Sequence, residues 1–195
     1  YARDGYMLAH VDGIAVDDNG MLHIHIVEGI VEDIVPAGNK KTRNKVITRE
    51  FVQKTGKPFN KFLVRRSVER VYNLGFFDDV NVRMLPGEKN PNNVIIEIDV
   101  LEHKTGTITL GAVYYKSDGL MGIVEFGEDN LRGTGDKFKV HWEIGGKKKY
   151  KNYQISYLKP WIDHRGTSLG FSFFNREDEY TDYDSDGSEV AEYNK

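Results

Sequence analysis

The sequence predicts a small α+β domain of order β-α-α-β-β, followed by antiparallel transmembrane β-barrel strands that form a partial barrel. Helical periodicity is confined to residues 44–75, with strand patterns on both sides of it. Beyond residue 104 the chain holds only strands of about 9–12 residues with apolar–polar alternation. These shifts divide the chain into an incomplete hairpin unit at 1–28, a complete mixed unit at 29–103 and barrel strands at 104–195.

The overall composition excludes several function classes. The 195 residues carry a formal net charge of -3 and no cysteine. The charge gives no electrostatic case for nucleic-acid binding, and the lack of cysteine excludes disulfides, thiolate metal sites and cysteine catalysis. No run approaches the roughly 20 apolar residues that a spanning helix needs. Because the first residue is Tyr1 and no signal peptide is visible, we expect an excerpt of a longer chain.

Residues 1–28 predict a helix end at 4–6 and then a β-hairpin. Two alternating strands are joined by the Asp-Asn-Gly sequence at 18–20, and Asn-Gly suits the type I′ hairpin turn. The mixed unit ends in the same order of features, with Gly-Phe at 75–76, two strands and then Glu102. We therefore interpret residues 1–28 as the C-terminal hairpin of a preceding copy of that unit.

Two helices are predicted inside the mixed unit. The first covers residues 44–56, with Asn44 as its N-cap and Gly56 as its stop. The second covers residues 60–75, and its apolar face carries Val64, Val68 and Val71 at helical spacing.

A structural corner follows the second helix. Gly75 is predicted at the C′ position with a left-handed backbone, and Phe76 folds back on Val71. Phe76 and Phe77 then close the core where two helices lie on a sheet. The corner delivers the strand "DDVNVRMLPG", which pairs with "NNVIIEIDVLE".

The strands after residue 104 alternate in a way that fits two architectures. In "DKFKVHWEIGG" the apolar side chains share one face, while lysine, histidine and glutamate share the other. Such alternation also occurs in an antiparallel sandwich or a lipocalin-like cup. A polar face that includes Thr, Ser, Gly, Asn and Gln favours the wet lumen of a transmembrane barrel. The acidic stretch 175–189 is predicted as a long loop, and a sixth strand begins near residue 189.

The sequence offers weak candidates for ion binding. His23 and His25 lie on one strand face, but without clustered carboxylates a solvent-exposed face is the better interpretation. Residues 182–187 resemble part of a calcium loop but lack its closing glutamate, so an acidic surface loop is expected. The lysines at 147–149 fit a solvated loop tip better than a site for lipopolysaccharide phosphates. We therefore expect no catalytic site, no metal and no cofactor.

Taken in order, these motifs resemble a known family. The run "GNKKTRNKVITREFVQKTGKPFNKFLVRRSVERVYNLGFFDDVNVRMLPG" is similar to a POTRA domain of the outer-membrane β-barrel assembly insertases. The segment "GAVYYKSDGLMGIVEFGEDNLRGTGDKFKV" resembles the first hairpin of that family's barrel, with its periplasmic turn at 130–135. "YLKPWIDHRGTSLGFSFF" resembles the fourth and fifth strands. The family's barrels have more strands than this chain supplies.

The resemblance implies a function in the bacterial outer membrane, with the POTRA part in the periplasm. The implied partners are unfolded outer-membrane proteins, periplasmic chaperones, accessory lipoproteins and outer-membrane lipid. Clients are captured by β-augmentation, in which an extended segment adds a strand to an open sheet edge. The implied client-binding edge strand consists of Asp79, Val80, Asn81, Val82, Arg83 and Met84. The implied lateral-gate strand consists of Thr107, Ile108, Thr109, Leu110, Gly111, Ala112, Val113 and Tyr114.

Other interpretations of the same sequence stay open. One is a polypeptide-translocating secretion pore of the same family, and another is a soluble periplasmic binding module whose C-terminal sheet lies outside any membrane. Five or six strands do not close around a filled interior, for which about eight are needed. We therefore also expect pairing with a second copy through the open barrel edges.

Overall fold

The computed structural model describes residues 1–116, 119–146, 150–177, 179–183 and 189–194. It forms two compact units, Tyr1–Lys104 and Thr105–Lys195. Among the described residues, no helix combines the length and the apolar character that crossing a membrane requires.

The first unit opens with a hairpin and continues as a three-stranded mixed sheet. The hairpin pairs β1 (His10–Val16) with β2 (Leu22–Val27). The sheet has the order β3-β5-β4 and contains β3 (Val31–Ala37), β4 (Phe77–Pro86) and β5 (Val94–Glu102). β5 lies in the centre, parallel to β3 and antiparallel to β4.

Two helices, α1 (Asn44–Thr48) and α2 (Lys61–Tyr72), connect β3 to β4. Asn60 caps α2, since its side-chain oxygen accepts the amides of Phe62 and Leu63. The helices and one sheet face share a single hydrophobic core. That core contains Val31, Val46, Ile47, Phe51, Phe59, Val64, Val71, Phe76, Phe77, Val80, Val94, Ile96, Ile98 and Val100.

A helix begins at residue 44 as predicted, but its predicted length, N-cap and C-terminal end were wrong. α1 ends at Thr48, and its N-cap is Arg43 rather than Asn44. Gly56 does not stop a helix, because α1 has already ended; its amide instead donates to the carbonyl oxygen of Val31 at 2.8 Å. The predicted helix end at 4–6 is a pair of hydrogen-bonded turns.

The end of α2 also differs from the prediction by one position. Its C-cap is Asn73, which places Gly75 at C″ rather than C′. The amides of Leu74 and Gly75 donate three residues back, to Val71 and Tyr72, so the helix tightens before it ends. Gly75 has the predicted left-handed backbone, with φ at 71°.

The second unit is a five-stranded antiparallel meander of order β10-β9-β8-β7-β6. Its strands are β6 (Gly106–Tyr115), β7 (Gly119–Leu131), β8 (Asp136–Gly145), β9 (Tyr150–Lys159) and β10 (Leu169–Asn175). A separate hairpin pairs β11 (Glu179–Tyr183) with β12 (Glu189–Asn194).

The predicted acidic loop was wrong in part, because β11 lies within it. Tyr180 and Thr181 have high strand propensity, although acidic residues surround them. The sixth strand predicted near residue 189 corresponds to β12.

The meander separates apolar and polar side chains onto its two faces. Leu110 lies opposite Val124, and Val124 lies opposite Trp142 across the next strand pair. These apolar side chains share one face of the sheet, and Leu110 on that face is 75% exposed. The other face carries a hydrogen-bonded group in which the two ring nitrogens of His141 contact Glu125 and Glu143 at 2.8 and 2.9 Å.

Candidate functional site

The strand that follows the Gly-Phe-Phe corner lies at an edge of the mixed sheet. β4 pairs with β5 on one side, and no strand of the described residues pairs with its outer side. Residues 79–84, the candidate client-binding strand, therefore present one row of main-chain groups to solvent. The structure brings all six together on this edge.

The corner positions that edge by burying its first residues. Phe76 and Phe77 are 2% and 3% exposed, and their rings pack edge to face with centroids 6.1 Å apart. The carbonyl oxygen of Phe76 accepts the amide of His103, which follows β5, at 3.1 Å. Farther along β4 the core contact is lost, and Met84 is 55% exposed. The edge is thus buried at its start and solvated toward its end.

Charged pairs cover the open face of the same edge. Arg83 reaches across to β5, with Nε 3.0 Å from Glu97 Oε1 and a terminal nitrogen 2.9 Å from Asp99 Oδ2. Asn81 donates to Asp79 Oδ2 at 2.7 Å. These polar contacts lie on a side-chain face of the sheet rather than along its main-chain edge.

The candidate gate strand is the end strand of the second sheet. β6 pairs with β7 along its whole length, from Gly106 opposite Glu128 to Tyr115 opposite Gly119. Within the described residues no strand pairs with the other edge of β6. Residues 107–114 therefore form a second open row of backbone donors and acceptors.

Glu102, at the end of β5, holds the loop that follows β3. Its carboxylate accepts the amides of Lys40, Lys41 and Thr42 at 2.9, 2.8 and 2.6 Å. Partial burial by itself raises the pKa of Glu102, but the hydrogen bonds from the Thr42 hydroxyl and the three amides lower it, and the net pKa lies below its ordinary value.

Among the described residues, the candidate histidine pair on β2 is not part of a metal centre. His23 lies 3.3 Å from Asp17 and His25 lies 3.5 Å from Asp12, so each imidazole faces its own carboxylate. Hydrogen bonds from the Met21 amide and His23 lower the pKa of Asp17. In the described part of the chain, no cluster of three or more His, Cys, Asp or Glu can hold a metal. The lysines at 147–149 and most of 182–187 lie outside the described residues.

Comparison with known families places one match in each structural unit. Residues 30–103 match the family model described as POTRA, surface antigen variable number repeat. Residues 130–194 match the model of the Omp85 superfamily domain. Together the two matches show that the chain contains a POTRA domain and an Omp85 superfamily domain. These matches confirm the predicted family and fold class, a POTRA domain followed by strands of a partial barrel.

Individual relatives agree with this assignment. The chain is 31% identical over 156 residues to outer membrane protein assembly factor BamA of Neisseria meningitidis serogroup B, covering 78% of this chain and 19% of the relative. The structure of BamA from Haemophilus ducreyi lacking POTRA domains 1-3 has a TM-score of 0.69 at 24% identity, covering 91% of this chain and 34% of that one. CdiB from Escherichia coli has a TM-score of 0.63 at 19% identity, covering 97% and 35%. The last two show the fold alone.

The chain spans 19% and 18% of the length of two BamA relatives that it matches. Three side chains that hold a loop of the first unit or the start of β6 were not found from the sequence. Glu102, Glu128 and Asn130 act through contacts to main-chain amides. Asn130 is the first residue of the turn motif that carried the family resemblance. This motif was the one sequence signal that pointed to any of the three side chains.

Proposed function

We propose that this Omp85 chain is part of an outer-membrane protein assembly factor. It binds unfolded β-barrel clients by strand addition at the edges of β4 and β6, and it templates their folding and insertion into the outer membrane. The observation that supports the proposal most directly is that each unit contains a sheet ending in a strand whose outer edge has no partner strand among the described residues.

The physical advantage of such edges is greatest in lipid. Each main-chain N–H or C=O that enters hydrocarbon without a partner costs several kcal/mol. A preformed strand supplies partners during entry, so it lowers the insertion barrier without a nucleotide or a covalent step. Pairing through the main chain also ignores most side-chain identity, which suits an assembly factor with many clients.

The β4 edge has features that define where a client strand pairs. The Val80 amide donates to Asp79 Oδ1 at 2.9 Å, so the first amide of this edge is already satisfied. Because alternate residues direct their main-chain groups to the same edge, Val82 and Met84 present theirs beside Val80. Pro86 has no N–H and closes the row. Strand addition is thus directed to the segment centred on Val82.

The location and partners follow from the same proposal. The POTRA unit lies in the periplasm, and β6–β10 lie in the outer membrane with their apolar face toward lipid. Periplasmic chaperones and accessory lipoproteins deliver clients to the β4 edge. The open edges of β6 and β10 also suit pairing with a second copy of the chain. Secretion of an extended polypeptide and soluble peptide binding are the competing functions.

Site-specific photo-crosslinking tests the proposal. Photoreactive residues are placed along 79–84 and 107–114, and an unfolded outer-membrane protein is supplied to the chain in lipid vesicles. We expect crosslinks to the terminal strand of the client at both edges. Ile95 is the matched control, because it is partly exposed but lies on the central strand β5, where it pairs with Asp33 of β3 on one side and Leu85 of β4 on the other.

Three outcomes oppose the proposal in different ways. Equal crosslinking at Ile95 indicates adhesion without strand addition. Crosslinks that spread over the whole client at β6 and never remain on its terminal strand favour a secretion pore. A chain that stays soluble and binds extended peptide without lipid favours the soluble module.

A further inference from the structure

We propose that Glu128 is a positioning residue that fixes the register of β6 on β7. Since β6 is the strand that clients meet under the proposed function, its register determines where along the edge a client strand pairs. We call the contacts of Glu128 with Thr105 and Asn130 the anchor. Because these contacts lie within this chain, the anchor can be tested with no client present.

The anchor joins the start of β6 to the end of β7 through one carboxylate oxygen. Glu128 Oε1 accepts both the hydroxyl of Thr105 and, at 3.0 Å, the amide of Asn130. Thr105 directly precedes β6 and is 7% exposed. The Asp129 amide adds a main-chain bond to the Thr105 carbonyl oxygen at 3.3 Å. The first residues before β6 are therefore held by side chain and backbone together.

The carboxylate is in turn held by the turn that follows β7. Asn130 is 1% exposed, and its side-chain oxygen accepts the Gly135 amide at 2.9 Å. Its carbonyl oxygen accepts the Gly133 amide at 3.1 Å. Because Asn130 is fixed at both positions, the amide that it offers to Glu128 is fixed as well. Thr105, Glu128 and Asn130 thus form one fixed contact that sets which residues of β6 pair with which residues of β7.

The rest of β6 makes few side-chain contacts that would specify one register on β7. Along the described residues 107–114, no side chain of β6 forms a hydrogen bond to β7. A slip of two residues restores the main-chain ladder and keeps every side chain on its own face. One steric preference adds to the anchor. Thr107 lies opposite Gly127, where a Cβ would come within 2.8 Å of the Thr107 hydroxyl oxygen, so this register places Thr107 beside a residue without a side chain. Register therefore depends on the Thr105–Glu128 end of the strand.

Paired cysteines in the full chain measure the register directly. The native sequence has no cysteine, so every disulfide reports the introduced pair. Ala112 and Gly122 are direct partners, and Ala112 with Val124 corresponds to a slip of two residues. In lipid vesicles we expect A112C/G122C to crosslink and A112C/V124C to crosslink poorly. Glu128→Ala and Thr105→Val should each raise the slipped crosslink several-fold.

Two further variants separate positioning from general destabilisation. Glu125→Ala is the matched control, because this carboxylate lies on the same strand but binds His141 of β8 rather than β6. It should leave the native crosslink dominant. Glu128→Gln keeps an acceptor oxygen and should restore the native pattern. An unchanged disulfide pattern in both Glu128→Ala and Thr105→Val overturns the proposal, as does an equal slip in Glu125→Ala.

Crosslinking of clients to β6 links the anchor to function and allows the anchor and the proposed function to fail independently. With photoreactive residues along β6, Glu128→Ala should move the crosslinked client position by two residues. If the disulfides show the slip but clients never crosslink to β6 in any variant, the anchor stands and the proposed function fails. If clients crosslink to β6 and neither measurement shows a slip, the proposed function stands and the anchor fails.

Discussion

At the scale of single residues, Glu102 makes one loop of the POTRA unit sensitive to acid. Its folded pKa is lowered, so its stabilising contribution is present above the ordinary glutamate pKa of about 4.3. That contribution is lost as the pH falls through the lowered folded value. We expect the amides of residues 40–42 to lose hydrogen-exchange protection in this acid range. Exchange measured by NMR or mass spectrometry over the range checks this.

The variant Glu102→Gln should remove the acid transition of this loop, because the neutral amide has no proton to gain there. Glu97→Gln is the matched control, since Glu97 lies on the same strand but pairs with Arg83. It should leave the transition of residues 40–42 intact. An acid transition that persists unchanged in Glu102→Gln contradicts the assignment.

At the scale of elements, Ser67 of α2 explains why α1 is short. Ser67 is fully buried, and its hydroxyl oxygen accepts the amides of Val52 and Gln53 at 2.9 and 3.3 Å. The same hydroxyl donates to the Leu63 carbonyl oxygen at 2.6 Å. The chain after Thr48 thus finds its hydrogen bonds on another helix, and continuing α1 would forfeit them.

Substituting Ser67 with alanine should loosen this segment. The change leaves two amides without an acceptor in a buried site, and each such group costs about 1–3 kcal/mol. We expect a lower free energy of unfolding and loss of exchange protection at Val52 and Gln53, measured by denaturant titration and hydrogen exchange. Ser172→Ala is the control, because Ser172 bonds Gln154 on an exposed face. Unchanged protection at both amides would count against this role.

The elements that local pattern determines were predicted well. The Asn-Gly turn predicted the β1–β2 hairpin, valine spacing predicted α2, and alternation predicted β6, β8, β9 and β10. What the sequence missed depends on contacts between distant residues. Thr42 and Glu102 are 60 residues apart, and Val52 meets Ser67 through the fold. Propensity and periodicity carry no information about such pairs, so both the end of α1 and the anchor at Glu128 required the structure.

At the scale of the whole molecule, substitutions at two neighbouring positions on β7 distinguish a membrane-embedded sheet from a soluble one. Val124 lies on the apolar face between Leu110 and Trp142, and Ile123 lies on the opposite face opposite Glu143. An arginine on the lipid side costs about 2–4 kcal/mol near the bilayer midplane, whereas lumen positions tolerate charge. Val124→Arg should therefore block integration into vesicles, and Ile123→Arg should permit it.

Tryptophan fluorescence tests the same orientation without a charged substitution. The chain has two tryptophans, and Trp161→Phe leaves only Trp142, which is 46% exposed on the apolar face. In vesicles whose acyl chains carry bromine, Trp142 emission should be strongly quenched, because bromine reaches only groups in contact with lipid. A soluble module buries this face against protein, so Trp142 would be shielded. Emission that is equal in brominated and ordinary vesicles, from a folded chain, would therefore exclude β6–β10 from the membrane and with it the templating of client strands there.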